Sequence, residues 1–313
     1  MEAFLNGVSA VSVIFLLMVV GYFLGRAGWI TKQEKKFISR FCINIALPCN
    51  CFRGIMTSMT RESVLQSAYL FLVPFLTIST SLLIAALAAL VLKIRRSRRG
   101  VFIASCFLSN TIFVGVPMIT QLFGDEGIPD LMIYWMISTL FTQSVVLLLV
   151  EYSGKQQVSG FHPLTFLKDI VTKPPIVATA AGYVCLISGI RMPEVIMNTA
   201  RYLASTVSPL SLIYCGYIVW EMGLKNIRME KEFPLLLFLR LVLSPILCLV
   251  YCRLLGVDGL MRNVFIVASA LPVVTQIPVL AGLYGADEQY AVSASVLSML
   301  VMFVTIPVIM MLL

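Results

Sequence analysis

Long apolar runs alternate with short polar or glycine-rich punctuation along almost the whole chain. Ten such runs stand out, at approximately 4–25, 37–57, 64–92, 101–123, 131–152, 170–190, 195–220, 233–255, 263–285 and 288–313. A helix needs about 20 apolar residues to cross the hydrocarbon of a bilayer, and each run is near that length. Turn signals separate them at Gly28, at the basic stretch from Arg95 to Gly100, at Gly124-Asp125-Glu126-Gly127 and at Gly256-Val257-Asp258-Gly259. The pattern predicts an all-α polytopic membrane protein of ten transmembrane helices. A hydrophilic stretch, Ser153–Lys173, interrupts the pattern midway. It divides the chain into a first five-helix half (1–152), a linker (153–169) and a second five-helix half (170–313). The first run has Glu2 and no Lys or Arg ahead of it, and it is too long for the core of a signal peptide, so it reads as a retained span.

Composition agrees with this pattern. Residues of the AVILMFWYC set make up 59% of the 313 and charged residues only 12%, against about 25% charged in a soluble domain. Mean hydropathy is +0.96. A soluble enzyme, a nucleic-acid-binding module and a disordered chain are excluded. The net charge of +8 reads as Lys and Arg retained on the cytoplasmic side of a membrane. Sixteen of the 23 flank the loops after spans 1, 3, 5, 7 and 9, six flank the loops after spans 2, 4, 6 and 8, and Arg240 lies inside span 8. The odd loops are therefore expected to be cytoplasmic and both termini to lie outside, in the cell membrane. The eight cysteines fall in apolar stretches without metal-ligand spacing and read as packing residues.

A weak internal repeat appears at an offset of 161 residues. Gly21-Tyr22 aligns with Gly182-Tyr183, Gly28 with Gly189, Arg40 with Arg201, Pro48 with Pro209, Pro117 with Pro278 and Gly124 with Gly285. Overall identity is no better than chance, but the matches fall on residues that shape helices. Five spans per half is an odd number, so the halves must be inverted relative to each other, as in many secondary transporters.

Two spans carry polar helix breakers at mid-membrane depth. Span 4 contains Ser109-Asn110-Thr111-Ile112-Phe113-Val114-Gly115-Val116-Pro117, and span 9 contains Leu271-Pro272-Val273-Val274-Thr275-Gln276-Ile277-Pro278. Backbone freed by a break is costly in lipid and is tolerated where it is buried in protein or lines a cavity. The half-helix beyond a break offers N–H groups and a partial positive charge to an anion. Asn110, Thr111, Gly115, Pro117, Pro272, Thr275, Gln276 and Pro278 are accordingly the candidate substrate-binding residues. Arg240, about two turns into span 8, is expected to snorkel to the cytoplasmic face, with direct contact to the anion as the alternative. No acidic residue sits at mid-span, which favours protons or the membrane potential over a dedicated Na⁺ site for any coupling. Asp125, Glu126 and Asp130 are outer-loop residues, and the only histidine, His162, is in the linker. With no paired carboxylates or Ser/His pair at depth, and no phosphate loop, no catalytic residue, metal or cofactor is expected.

These residues resemble the auxin efflux carrier family, which includes bacterial malonate permease-like proteins and plant auxin exporters. The likeness rests on Leu47-Pro48, on Asn110-Thr111 with Phe113, Gly115 and Pro117 followed by Leu122-Phe123-Gly124, on the broken span 9 ending in Tyr284-Gly285, and on Thr305-Ile306-Pro307. It covers essentially the whole chain. Two positions depart from the pattern: Ile112 stands where the family often has glycine, and Gln276 where it often has asparagine. The short 153–173 stretch is similar to that of bacterial-type members. The resemblance implies an inverted-repeat fold in which helices 4 and 9 cross at their breaks. It implies a scaffold of spans 1, 2, 6 and 7, a mobile transport unit of spans 3–5 and 8–10 working as an elevator, and a homodimer. The function expected is a permease for small organic anions such as mono- or dicarboxylates; the alternative is a membrane receptor or regulator that binds such a ligand without moving it.

Overall fold

A computed structural model describes residues 2–58, 68–154, 172, 174–223, 227 and 229–313. Most of the predicted linker, His162 included, and the first residues of span 3 lie outside the described residues. Helix α1 runs Glu2–Arg26. Helix α2 (Lys32–Phe41) passes through a π-turn at Cys42–Ala46 into α3 (Leu47–Ser58). Helix α4 is Leu72–Val91. Helix α5 (Arg96–Phe107) ends at a break, beyond which a π-turn at Thr111–Gly115 opens α6 (Val116–Phe123). Helix α7 (Ile128–Phe141) continues through a π-turn at Thr142–Val146 into α8 (Leu147–Ser153).

The second half holds α9 (Pro174–Ile187), α10 (Glu194–Ser205), α11 (Val207–Met222) and α12 (Phe233–Phe238). A π-turn at Leu239–Leu243 leads into α13 (Ser244–Leu254). Helix α14 (Gly259–Ser269), a second break, α15 (Gln276–Tyr284) and α16 (Glu288–Leu312) complete the chain. No strand occurs among the described residues. Four helical stretches, Leu72–Val91, Asp125–Ser153, Phe233–Leu254 and Glu288–Leu312, are long and apolar enough to cross a membrane, and shorter apolar helices accompany them. The two breaks are why the apolar helices Thr111–Phe123 and Gly259–Ser269 are short. The chain is an all-α, multi-pass membrane protein.

Local chemistry explains the irregular turns. A proline lacks an N–H, and its ring clashes with the carbonyl four residues earlier. Pro48, Pro117 and Pro245 each sit two residues after a π-turn, and each turn contains the residue four back: Asn44, Phe113 and Leu241. The widened turn makes room for the ring while the helix goes on. The fourth π-turn has no proline. There the Thr142 hydroxyl donates to the Ser138 carbonyl at 2.7 Å and the Ser144 hydroxyl to the Leu140 carbonyl at 2.5 Å, and such back-bonding bends helices. Helix α2 starts on a reciprocal capping box between Thr31 and Glu34. The Thr31 hydroxyl, then its N–H, draws the Glu34 carboxyl below its usual range.

Packing is reciprocal between the halves. Helix α1 lies along α11, and α9 lies along α3. Gly21 meets the first contact so closely that a Cβ would stand 2.0 Å from the Ile213 carbonyl oxygen; its counterpart Gly182 faces Ile55 in the second, where a Cβ would stand 3.3 Å away. The aligned Gly124 and Gly285 end α6 and α15 with φ of 71° in both.

Ion pairs tie distant segments together. Lys35 meets Glu221 at 2.5 Å, so Glu221 is paired across helices. Arg98 meets Glu230 at 2.9 Å and Asp287 at 2.7 Å, with its guanidinium 5.2 Å from the Tyr290 ring centroid. Arg53 lies 3.9 Å from Asp125. Each pair joins segments that the Lys/Arg distribution assigns to the same face of the membrane.

Candidate functional site

The breaks in the two polar spans meet. Leu108 leaves α5 in an extended conformation, and Ser109 and Val273 form an isolated antiparallel bridge. Backbone groups released by the breaks find partners, as burial demands. The Asn110 N–H donates to the Pro272 carbonyl at 2.8 Å. The Val273 N–H donates to the Ser298 hydroxyl of α16 at 2.9 Å. The Leu271 carbonyl accepts from Arg240 Nε at 3.2 Å, and the Ser269 carbonyl accepts from Arg240 Nη2.

Arg240 therefore does not snorkel. It is fully buried, placed by the π-turn Leu239–Leu243, and its cation sits against the carbonyl end of α14, where the helix dipole is negative. An apolar helix end this deep leaves carbonyls that only a nearby donor can satisfy, and Arg240 is that donor.

Asn110 is 1% exposed and caps the half-helix after its break, its Oδ1 accepting from the Phe113 N–H at 3.2 Å. Its Nδ2 reaches across the crossing to the Thr275 hydroxyl at 3.5 Å. Gly115 is a close-packing position: a Cβ there would stand 2.8 Å from Leu271 Cδ1 of the opposing span. Pro278 lies in the first turn of its half-helix, where a missing N–H leaves no intrahelical bond unmade, and Pro117 lies further along its own, just after the π-turn that makes room for its ring.

A cavity of about 140 Å³ opens at the crossing. Of the eight sequence-derived candidates, Asn110, Thr111 and Gln276 line it. Gly115, Pro272 and Thr275 instead build the crossing behind it, and Pro117 shapes the turn. Pro278 faces a different space, a vestibule of about 1010 Å³ walled by Lys32, Lys36, Arg40 and Tyr214 among others. The Phe113 ring in the cavity wall stacks on Tyr214 in the vestibule wall, with centroids 5.8 Å apart and planes 24° from parallel. This aromatic pair joins the walls of the two spaces.

The sequence reading missed the third polar wall. Ser138, Thr139 and Thr142 of α7 and its π-turn line the cavity, with Trp135 beside them. Hydroxyls at i, i+1 and i+4 in an apolar run were the available signal, since that spacing puts them on one helix face. Leu47 and Pro175 close the cavity from α3 and α9. The Ser109 and Ser138 hydroxyls are buried without a hydrogen-bond partner among the described residues. Unpaired hydroxyls in a small polar cavity are ready to bond a guest. The volume suits a few waters or a small organic ion and is well below a drug-sized pocket.

Residues 7–310 match the family model described as membrane transport protein, the family of the auxin efflux carriers. The chain belongs to that family. It is 25% identical over 289 residues to an uncharacterized transporter of Methanocaldococcus jannaschii, covering 91% of both chains. An uncharacterized transporter of Methanothermobacter thermautotrophicus is 26% identical over 97% of both. One of Escherichia coli is 22% identical, over 94% of this chain and 93% of its own. A membrane transporter is thus the function that its family carries, and the resemblance seen in the broken spans holds along the chain.

Proposed function

We propose that this protein is a secondary transporter for small organic anions, mono- or dicarboxylates, with the cavity at the crossing as its substrate site. The observation that carries the reading is the meeting of two broken spans around one polar cavity. Thr111 and Gln276, the first residues of the two segments after the breaks, both line it, and so does the amide of Asn110. Helix starts and amides can hold a carboxylate without the desolvation cost of a buried lysine.

The cavity wall draws on spans 3–5 and 8–10 through Asn110, Ser138 and Gln276, and on spans 2 and 6 through Leu47 and Pro175. A site between a scaffold and a moving unit suits alternating access of the elevator kind. The reciprocal packing of α1 on α11 and α9 on α3, with Gly21 and Gly182 at the aligned positions, favours ten spans in two inverted repeats. Ion pairs that join only same-side loops favour the assigned topology, with both termini outside the cell membrane. A homodimer completes the reading. Its coupling, if any, is to protons or the membrane potential.

Counterflow of labelled carboxylates into preloaded proteoliposomes tests the function. Saturable uptake of at least one mono- or dicarboxylate is expected. Saturable binding without flux would replace the transporter with a receptor.

A further inference from the structure

Arg240 carries a charge that no carboxylate among the described residues pairs with. Its side chain is fully buried. None of the ion pairs among the described residues includes it. Its acceptors are two main-chain carbonyls, Ser269 and Leu271, and the Ser244 hydroxyl at 3.3 Å. Carbonyls at a helix end offer a partial charge of about half an electron, not a whole one. Nη1 has no partner among the described residues. A buried cation left without a counter-charge is costly, and such groups persist where a function keeps them.

The charge lies one layer behind the cavity wall. The Leu271 carbonyl that it holds belongs to the segment that runs on to Val274 and Gln276, both of which line the cavity. Tyr134 lies beside both Arg240 and Ser109 without a hydrogen bond of good geometry to either. Ser109 lines the cavity, and so does Trp135, the neighbour of Tyr134 in the chain. Among the described residues, no carboxylate lines the cavity to cancel the field.

We propose that Arg240 is the fixed counter-charge of the transport site: it sets the preference for an anion over a neutral molecule from behind the wall, without touching the substrate. This rests on the reading of the cavity as an anion site. Arg240 is thus a positioning and selectivity residue. It anchors the break in span 9 through Ser269 and Leu271, and it supplies the positive potential that the amides and helix starts of the wall then localise. At the effective dielectric of a protein interior, and over the roughly 8–10 Å that separates packed helices, one unit charge changes an anion's affinity by about 10- to 30-fold.

The test separates charge from architecture. Purified protein is titrated with acetate, malonate and glutarate in salt-matched chloride, and with the uncharged amides acetamide, malonamide and glutaramide, reading dissociation constants from thermal stabilisation. For wild type, at least one carboxylate should bind better than its amide. Arg240→Gln keeps donors for the carbonyls and removes the charge. It should weaken the carboxylate about 10- to 30-fold and leave the amide unchanged. Arg240→Lys should keep the carboxylate preference even if it melts earlier. Arg240→Met replaces the Gln variant if that does not fold. An unchanged preference in the uncharged variant overturns the proposal, as does equal weakening of carboxylate and amide, which would mark a purely structural role. If no carboxylate binds wild type, the anion reading itself fails and takes this one with it.

Discussion

Replacing Asn110 by Asp separates two jobs that its amide performs. Its Oδ1 caps the half-helix by accepting from the Phe113 N–H, and its Nδ2 reaches across the crossing to Thr275, beside the cavity that Asn110 lines. Asn110→Asp keeps the acceptor, and the helix start favours a negative charge there, so the cap survives. It removes the donor and puts a carboxylate where the anion is to sit. Loss of one hydrogen bond to a charged group costs about 1.5–3 kcal/mol. Repulsion between unit charges in contact adds about 4 kcal/mol at an effective dielectric of 20. Anion affinity should therefore fall more than about a hundredfold at pH 8, with stability near wild type. Asn110→Ala behaves differently. It loses the cap, worth about 1 kcal/mol, and only the donor, so affinity falls by roughly ten- to a hundredfold while the melting temperature drops. Counterflow and thermal unfolding on the same preparations give both numbers. Anion flux in the Asp variant equal to wild type would refute the donor role and move the site away from Asn110.

Gln276→Ala should also weaken anion binding roughly tenfold or more without unfolding the protein, because Gln276 lines the cavity and the cap position of its helix belongs to Thr275; unchanged affinity would remove it from the site. Gly21→Val should abolish monodisperse protein in detergent, since the new side chain would collide with the Ile213 backbone, whereas Gly28→Ala, with open space around it and φ of 75°, should cost only about 1 kcal/mol. Arg98→Ala strands Glu230 and Asp287 and should lower the melting temperature by the equivalent of about 1–3 kcal/mol, discounted towards the lower end by partial exposure, with Arg98→Lys restoring only part because it lacks the fork. Alkaline phosphatase fused after Leu313 should be active and green fluorescent protein dark; the reverse would invert the topology.

The helical, membrane-spanning character was legible from the apolar runs alone, because burial in lipid leaves a signal at every residue. The breaks were legible because Pro117, Pro272 and Pro278 lie within polar stretches of spans 4 and 9. Less visible was which polar residues face one another. Pro278 and Asn110 look alike on a one-dimensional map, yet one faces the vestibule and the other the cavity. Arg240 was misplaced for a related reason. A charge two turns into a span usually reaches for water, and only the carbonyls freed by a break on a different helix, 29 and 31 residues away in sequence, make burial the better outcome. The hydroxyls of Ser138, Thr139 and Thr142 were overlooked because a serine or threonine in a membrane helix commonly bonds its own backbone, as Thr142 does here.

The π-turn at Thr142–Val146 acts as a phase shifter. In an unbroken α-helix, Ser153 lies eleven residues beyond Thr142 and would stand almost on the same face, about 20° away. One extra residue in the turn rotates everything after it by about 100°, roughly a quarter turn off that face. The same rod can then present Ser138 and Thr142 to the cavity and, further along, offer the Ser153 hydroxyl to the Gly100 N–H of α5 at 2.7 Å. A single-residue deletion inside 142–146 would leave a perfectly good helix and still put one of those two appointments out of reach.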